Sequence, residues 1–209
     1  MTPKAPCIYV CDPKKYIYIK NPKAACSSIL QVIYDWGHGP VRRLPLHGRG
    51  NGGRSKRIKA DFKPDYFKFS FVRNPWSRFV SLFQDKTKNV IGTKWQMRNW
   101  SRYKNHTFEE FAQAMLKRDV NNIDRHSRLQ YLNLNRAEYI DFYGKVENFE
   151  EDMNYVASKI GLEIQNIPWQ NKAVKTDYRE YYNNETIKIV EEIYQKDIEV
   201  FGYTFDGQK

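Results

Sequence analysis

Apolar positions along the chain fall into a few short patterned segments, punctuated by Gly, Pro and Asn. Cys7-Ile8-Tyr9-Val10-Cys11 and Tyr16-Ile17-Tyr18-Ile19-Lys20 are rich in β-branched and aromatic residues. They predict two strands with a turn at Asp12-Pro13. The second run stops at Asn21-Pro22, after which Ile29, Ile33 and Trp36 recur at helical spacing and predict a helix from Ser27 to about Trp36. Tyr66-Phe67-Lys68-Phe69-Ser70-Phe71-Val72 is the strongest strand pattern; Asn74-Pro75 follows it, then a helix through Val80, Leu82 and Phe83. Thr107-Phe108-Glu109-Glu110 has the form of a capping box opening a helix to about Arg118. A short strand over 141–146, a helix over 149–160 stopped by Gly161, and an amphipathic helix over 185–200 complete the pattern. Three stretches carry no period. Residues 37–57 are dominated by Gly, Pro and Arg and look too irregular for a core element. Residues 89–106 form a polar surface excursion around Trp95 and Trp100, and 168–182 are irregular, basic and aromatic.

Strands that alternate with helices imply a central, mainly parallel sheet flanked by helices on both faces. Ligands bind such sheets where strands end and helices begin. There is no internal repeat, linker or low-complexity tract, so residues 1–209 are expected to form one α/β domain. Apolar residues at 41% suffice for a core, and no stretch has the apolar length that spans a bilayer. The first residues lack the apolar run of a signal peptide, so a soluble, cytoplasmic chain is expected. Cys7, Cys11 and Cys26 make no disulfide framework and no zinc spacing, which favours buried thiols, a reducing compartment and no metal. A net charge of +11 favours polyanionic partners without choosing among nucleic acid, lipid, acidic glycan and nucleotide.

Two strand–loop–helix units carry chemistry. In the first, Pro22-Lys23-Ala24-Ala25-Cys26-Ser27-Ser28 joins the second strand to a helix. Its small residues let backbone N–H groups approach an anion, the helix start adds partial positive charge, and Lys23 adds a mobile full charge. The Walker pattern is absent: the loop has no glycine and its lysine comes first. Taken alone, the loop reads equally as a phosphate cradle or as a capped helix start beside a solvated lysine. In the second unit, Arg73 ends the strongest strand and Ser81 lies two turns into the next helix. An arginine fork suits a phosphate dianion. Two anion-binding strand ends fit a ligand with two separated phosphates.

Together these segments resemble sulfotransferases that use 3′-phosphoadenosine 5′-phosphosulfate (PAPS), most nearly the carbohydrate sulfotransferases of the Golgi type and their bacterial relatives. Pro22-Lys23-Ala24-Ala25-Cys26-Ser27 is similar to that family's Pro-Lys-x-Ala-Cys-Thr loop. Val72-Arg73-Asn74-Pro75-Trp76-Ser77-Arg78 is similar to its Val-Arg-(Asp/Asn)-Pro-x-x-Arg segment, with Ser81 in register. His126-Ser127-Arg128-Leu129-Gln130 resembles a His-x-x-Pro-Gln segment with Leu129 in place of the proline; residues 143–152 and 197–203 also match family patterns.

The resemblance implies a three-layer fold like that of P-loop nucleotide hydrolases, and transfer of a sulfuryl group to an acceptor hydroxyl, with PAPS as co-substrate and no metal. Lys23 would stabilise the leaving phosphate. Ala24, Ala25, Cys26, Ser27 and Ser28 would hold the 5′-phosphate, and Arg73 and Ser81 the 3′-phosphate. Lys172 and Thr176 would contact the nucleotide from a segment that folds over it. The acceptor needs a general base. His47 lies between the two loops, where related enzymes place a catalytic histidine; His126 is the second candidate, and a loop histidine with no task is the competing reading for His47. Arg42, Arg43, Arg49, Arg54, Lys56 and Arg57 would suit an acidic glycan, or simply form a solvated loop. A P-loop small-molecule kinase is the alternative enzyme, but it needs a Walker lysine and a magnesium-holding carboxylate. A basic nucleic-acid-binding module lacks any recognised motif.

Overall fold

The computed structural model describes residues 7–35, 41–44, 63–87, 100–134, 139–163 and 177–208. In chain order the elements are β1 (Cys7–Cys11), β2 (Tyr16–Lys20), α1 (Cys26–Asp35), β3 (Val41–Leu44), β4 (Phe67–Val72), α2 (Pro75–Thr87), α3 (Phe108–Leu116), α4 (Val120–Ile123), α5 (Gln130–Asn133), β5 (Phe142–Lys145), α6 (Phe149–Ile160), α7 (Asn184–Phe201), β6 (Tyr203–Thr204) and β7 (Gly207–Gln208). They divide into two compact units, each built from two stretches of chain. One comprises Met1–Val72 with Gln130–Lys172, the other Arg73–Leu129 with Ala173–Lys209.

The first unit is mixed α/β, with a mostly parallel sheet flanked by helices. Its five strands run in the order β3-β1-β2-β4-β5. β2 pairs parallel with β4 (Tyr18 opposite Phe69), and β4 parallel with β5 (Val72 opposite Lys145). β1 alone runs against the rest, antiparallel to β2 and to β3. The sequence pattern missed β3: Val41-Arg42-Arg43-Leu44 lies inside the Gly/Arg stretch read as irregular, and pairs with β1 at the edge of the sheet. Nothing local marks it, because an edge strand is specified by its partner.

Alternation sorts the strand residues onto two faces. Tyr9, Cys11, Tyr16, Tyr18, Phe69 and Phe71 share one face and bury against Ile29, Val32 and Ile33 of α1 and Phe149, Met153, Val156 and Ile160 of α6. Ile8, Val10, Ile17, Ile19, Ser70 and Val72 on the opposite face are buried as well. Strands buried on both sides read as continuous apolar runs, which is how β2 and β4 read in the sequence. The Ser70 hydroxyl donates to the Ile19 carbonyl at 2.8 Å, joining the two central strands on that face. α6 ends where the pattern places its end, at Gly161 in the left-handed region (φ 63°).

Among its described residues the second unit is helical apart from the β6–β7 hairpin. α3 opens with the expected capping box: Thr107 accepts from Glu110 N–H while the Glu110 carboxylate accepts from Thr107 N–H. Phe79 and Phe83 of α2 meet Phe108 and Phe111 of α3 with ring centroids 5.3–5.6 Å apart. Trp100, expected in a surface excursion, is buried and donates through Nε1 to Asp124 at 3.2 Å.

Gly144 of β5 faces the Phe71 ring so closely that a Cβ would collide with it. Phe71 is fully buried and has no room to yield. Gly144→Ala is expected to destabilise the protein by about 1–3 kcal/mol. A lower urea midpoint at unchanged slope checks this, and a variant as stable as the wild type would refute it.

Candidate active site

The loop after β2 has an unusual backbone. Lys23 and Ala25 lie in the left-handed region, with φ of 69° and 51°. For residues with a Cβ this conformation costs about 1–2 kcal/mol each. Where right- and left-handed residues alternate, successive N–H groups can form a concave nest that receives anions. Ala24 N–H donates to the Asn21 carbonyl at 3.3 Å, closing a tight turn, and Ile29 N–H donates to the Ala25 carbonyl at 3.1 Å as α1 begins. No acidic residue occupies the first turn of α1, so its positive end is not neutralised from within the helix. Ser27 is exposed, and Lys23, Ala25 and Cys26 are half-buried. Ala24 and Ser28 are buried. The phosphate-loop residues named from sequence therefore form one continuous turn, with Lys23, Ala25, Cys26 and Ser27 accessible.

Asn21, given no role from sequence, anchors this turn. It is fully buried, and its Nδ2 donates both to the Phe71 carbonyl at 3.0 Å and to Gln130 Oε1 at 2.9 Å.

In the second unit, Arg73 begins the turn into α2. Asn74 caps that helix: its Oδ1 accepts from Trp76 N–H at 3.0 Å, and its Nδ2 donates to the Thr204 carbonyl at 2.9 Å. Pro75 takes the first helical position, where a missing N–H costs nothing. Arg73 Nε donates to Ser77 Oγ at 2.9 Å. Ser77, in the first turn of α2, is thus a hydroxyl in contact with Arg73, and Ser81 lies half-buried one turn further on. The i, i+4 spacing was the signal available for Ser77.

Arg78 was quoted in the sequence motif without a task. It is buried, and its Nη2 donates to the carbonyls of Arg125, His126 and Arg128 at 3.4, 3.1 and 2.9 Å. Burial lowers its pKa, while nearby Tyr194, Asp197 and Asp124 raise it. The turn it holds carries a His–Asp pair: His126 Nδ1 lies 3.0 Å from Asp124 Oδ1. Asp124 is nearly buried and His126 is about a third exposed, at 9% and 33% of their side chains. Burial by itself would raise the Asp124 carboxyl, but the His126 ring, Lys86 and the His126 N–H together hold it well below the ordinary carboxylate range. His47, Lys172 and Thr176 lie outside the described residues. Among the described residues no group of three or more His, Cys, Asp or Glu side chains could hold a metal ion, and no helix is long and apolar enough to cross a membrane. Cys7, Cys11 and Cys26 are free thiols.

Because the Asp124 carboxyl titrates below its unfolded value of about 3.9, the folded protein binds fewer protons than the unfolded chain just beneath that value. Its stabilisation is complete above about pH 5 and is lost as the pH falls below about 4. The urea midpoint of the wild type should therefore fall more steeply below about pH 4 than that of Asp124→Asn. Parallel curves would remove the pair from the account of acid stability.

Residues 6–204 match the family model described as "Sulfotransferase family". Carbohydrate sulfotransferase 14 of Danio rerio is 25% identical, over 94% of this chain and 62% of its own. The protein of the same name from Mus musculus is 27% identical, over 71% and 45%. Carbohydrate sulfotransferase 9 of Homo sapiens is 32% identical, over 74% and 41%. The chain thus spans less than two thirds of the length of these curated relatives. No solved structure matches the chain significantly.

Proposed function

The chain belongs to the sulfotransferase family, and from that premise we propose that it moves a sulfuryl group from PAPS to a hydroxyl of a carbohydrate acceptor. The observation that carries the proposal is the glycine-free turn Pro22–Ser28, with left-handed Lys23 and Ala25 at the positive start of α1. Strained non-glycine backbone at a strand-to-helix turn marks a place where geometry is maintained for a ligand. The names of the relatives support a carbohydrate acceptor, and the basic stretch 42–57 would suit an acidic one. The family match runs through both compact units, which supports reading residues 1–209 as one sulfotransferase domain of the three-layer P-loop type. The three free thiols are compatible with the cytoplasm.

PAPS supplies the sulfuryl group. Sulfuryl transfer, like phosphoryl transfer, asks the protein for position and charge stabilisation. In the proposal Lys23 neutralises charge on the departing phosphate oxygen. The amides from Ala24 to Ser28, with the Ser27 and Ser28 hydroxyls, hold the 5′-phosphate. Arg73 and Ser81 hold the 3′-phosphate, and the Arg73–Ser77 hydrogen bond supports this by fixing the orientation of the guanidinium. Lys172 and Thr176 complete the nucleotide site, and no metal is part of the proposal.

For the general base, His47 remains the reading from sequence. A specific observation favours His126 as the second: a carboxylate on its Nδ1 fixes the ring and leaves Nε2 to take a proton.

Transfer of labelled sulfuryl from PAPS to a panel of glycans tests the function. Lys23→Ala should lower kcat by about 100-fold or more, the scale for losing one charge-stabilising group; a rate within a few-fold of wild type would overturn its role. Arg73→Ala should act mainly through a raised KM for PAPS. The pH–rate profiles of His47→Ala and His126→Ala separate the two bases: the variant lacking the base loses the acidic limb of the profile, and the other keeps it.

A further inference from the structure

We infer that Asn21 and Gln130 are a positioning pair that holds the Lys23 turn in its productive backbone conformation. The inference rests on the sulfotransferase reading for its catalytic consequence, but its geometry stands on its own. Left-handed conformations at Lys23 (φ 69°) and Ala25 (φ 51°) persist only where the surroundings impose them. Asn21 immediately precedes that turn and is fully buried, as is Gln130.

One hydrogen of Asn21 Nδ2 goes to the Phe71 carbonyl near the end of β4, and the other to Gln130 Oε1 at the start of α5. The Asn21 backbone carbonyl accepts from Ala24 N–H, inside the turn itself. One residue therefore ties the end of β2, the end of β4 and α5 to the first bend of the loop. Its Oδ1 has no hydrogen-bond partner among the described residues, so Asn21 acts through its two donors. Their contribution is directional hydrogen bonding, and shape alone would not replace it.

Asn21→Asp keeps the shape and removes both donors. Gln130→Met keeps most of the volume and removes the acceptor. In amide hydrogen exchange of the full chain without ligand, both variants should exchange the amides of residues 23–28 at least tenfold faster, with the amides of β2 and β4 unchanged. Equal acceleration throughout the first unit would mean a merely structural role and would overturn the proposal, as would no acceleration at all. This readout needs no substrate, so it stands or falls separately from the sulfotransferase reading, which fails if the wild type transfers no sulfuryl group. With activity in hand, Gln130→Met should lower kcat/KM for PAPS by about tenfold and leave the acceptor KM within twofold. That loss should vanish in the Lys23→Ala background, because a residue acting through Lys23 has nothing left to position. Additive losses in the double variant would refute the coupling.

Discussion

Parallel pairing of β2 with β4 is the constraint on which the rest depends. Parallel neighbours must end at the same edge of the sheet, and each must leave that edge through a turn and a covering segment. The register Tyr16–Phe67, Ile17–Lys68, Tyr18–Phe69 fixes which side chains face α1 and α6. A slip of β4 by one residue against β2 would turn Phe69 and Phe71 away from that core. The same register brings the end of β2 beside the end of β4, where the Asn21 amide can reach the Phe71 carbonyl. The β1–β2 hairpin adds the antiparallel strand without disturbing this edge, because its turn, Asp12 to Lys15, lies at the opposite end of β2.

Legibility in the sequence followed the range of the determining interaction. The strand ending at Val72, the Thr107 capping box and the Gly161 stop are set by residues within a few positions of each other, and each is present as expected. β3 and the Asn21–Gln130 bond depend on partners far away in the chain; the latter joins residues 109 positions apart. Arg78 shows the limit from another side. Its motif drew attention to it, yet an arginine near a suspected anion site reads as a ligand contact, and here it is spent on three backbone carbonyls. Only burial distinguishes the two uses.

Charge is legible in amount and not in place. The net +11 points to anionic ligands, but several cations are engaged by the protein's own groups. Lys63 pairs with Asp12 at 2.6 Å, Lys14 donates to the Gly161 carbonyl at 2.8 Å, and Lys68 to the Tyr66 carbonyl at 2.9 Å. Arg179 pairs with Asp177 at 2.8 Å. Such groups still contribute to the field that draws an anion towards the surface. They do not define where it stops.

In the proposed function, what defines the stopping place is backbone geometry. Glycine-rich phosphate loops reach left-handed conformations without steric cost and give up conformational entropy on folding. The turn Pro22–Ser28 takes the opposite course: Pro22 fixes its own φ, and Lys23 and Ala25 accept a steric cost in exchange for a chain with fewer alternative conformations. Such a loop cannot rely on its own preferences to hold its shape, so the restraint must come from outside it. The helix start on one side and the buried Asn21 amide on the other supply that restraint. In the proposed reading, the glycine-free loop and the buried hydrogen-bonded residue before it are therefore two halves of one arrangement, the second restraining the conformation that the first needs.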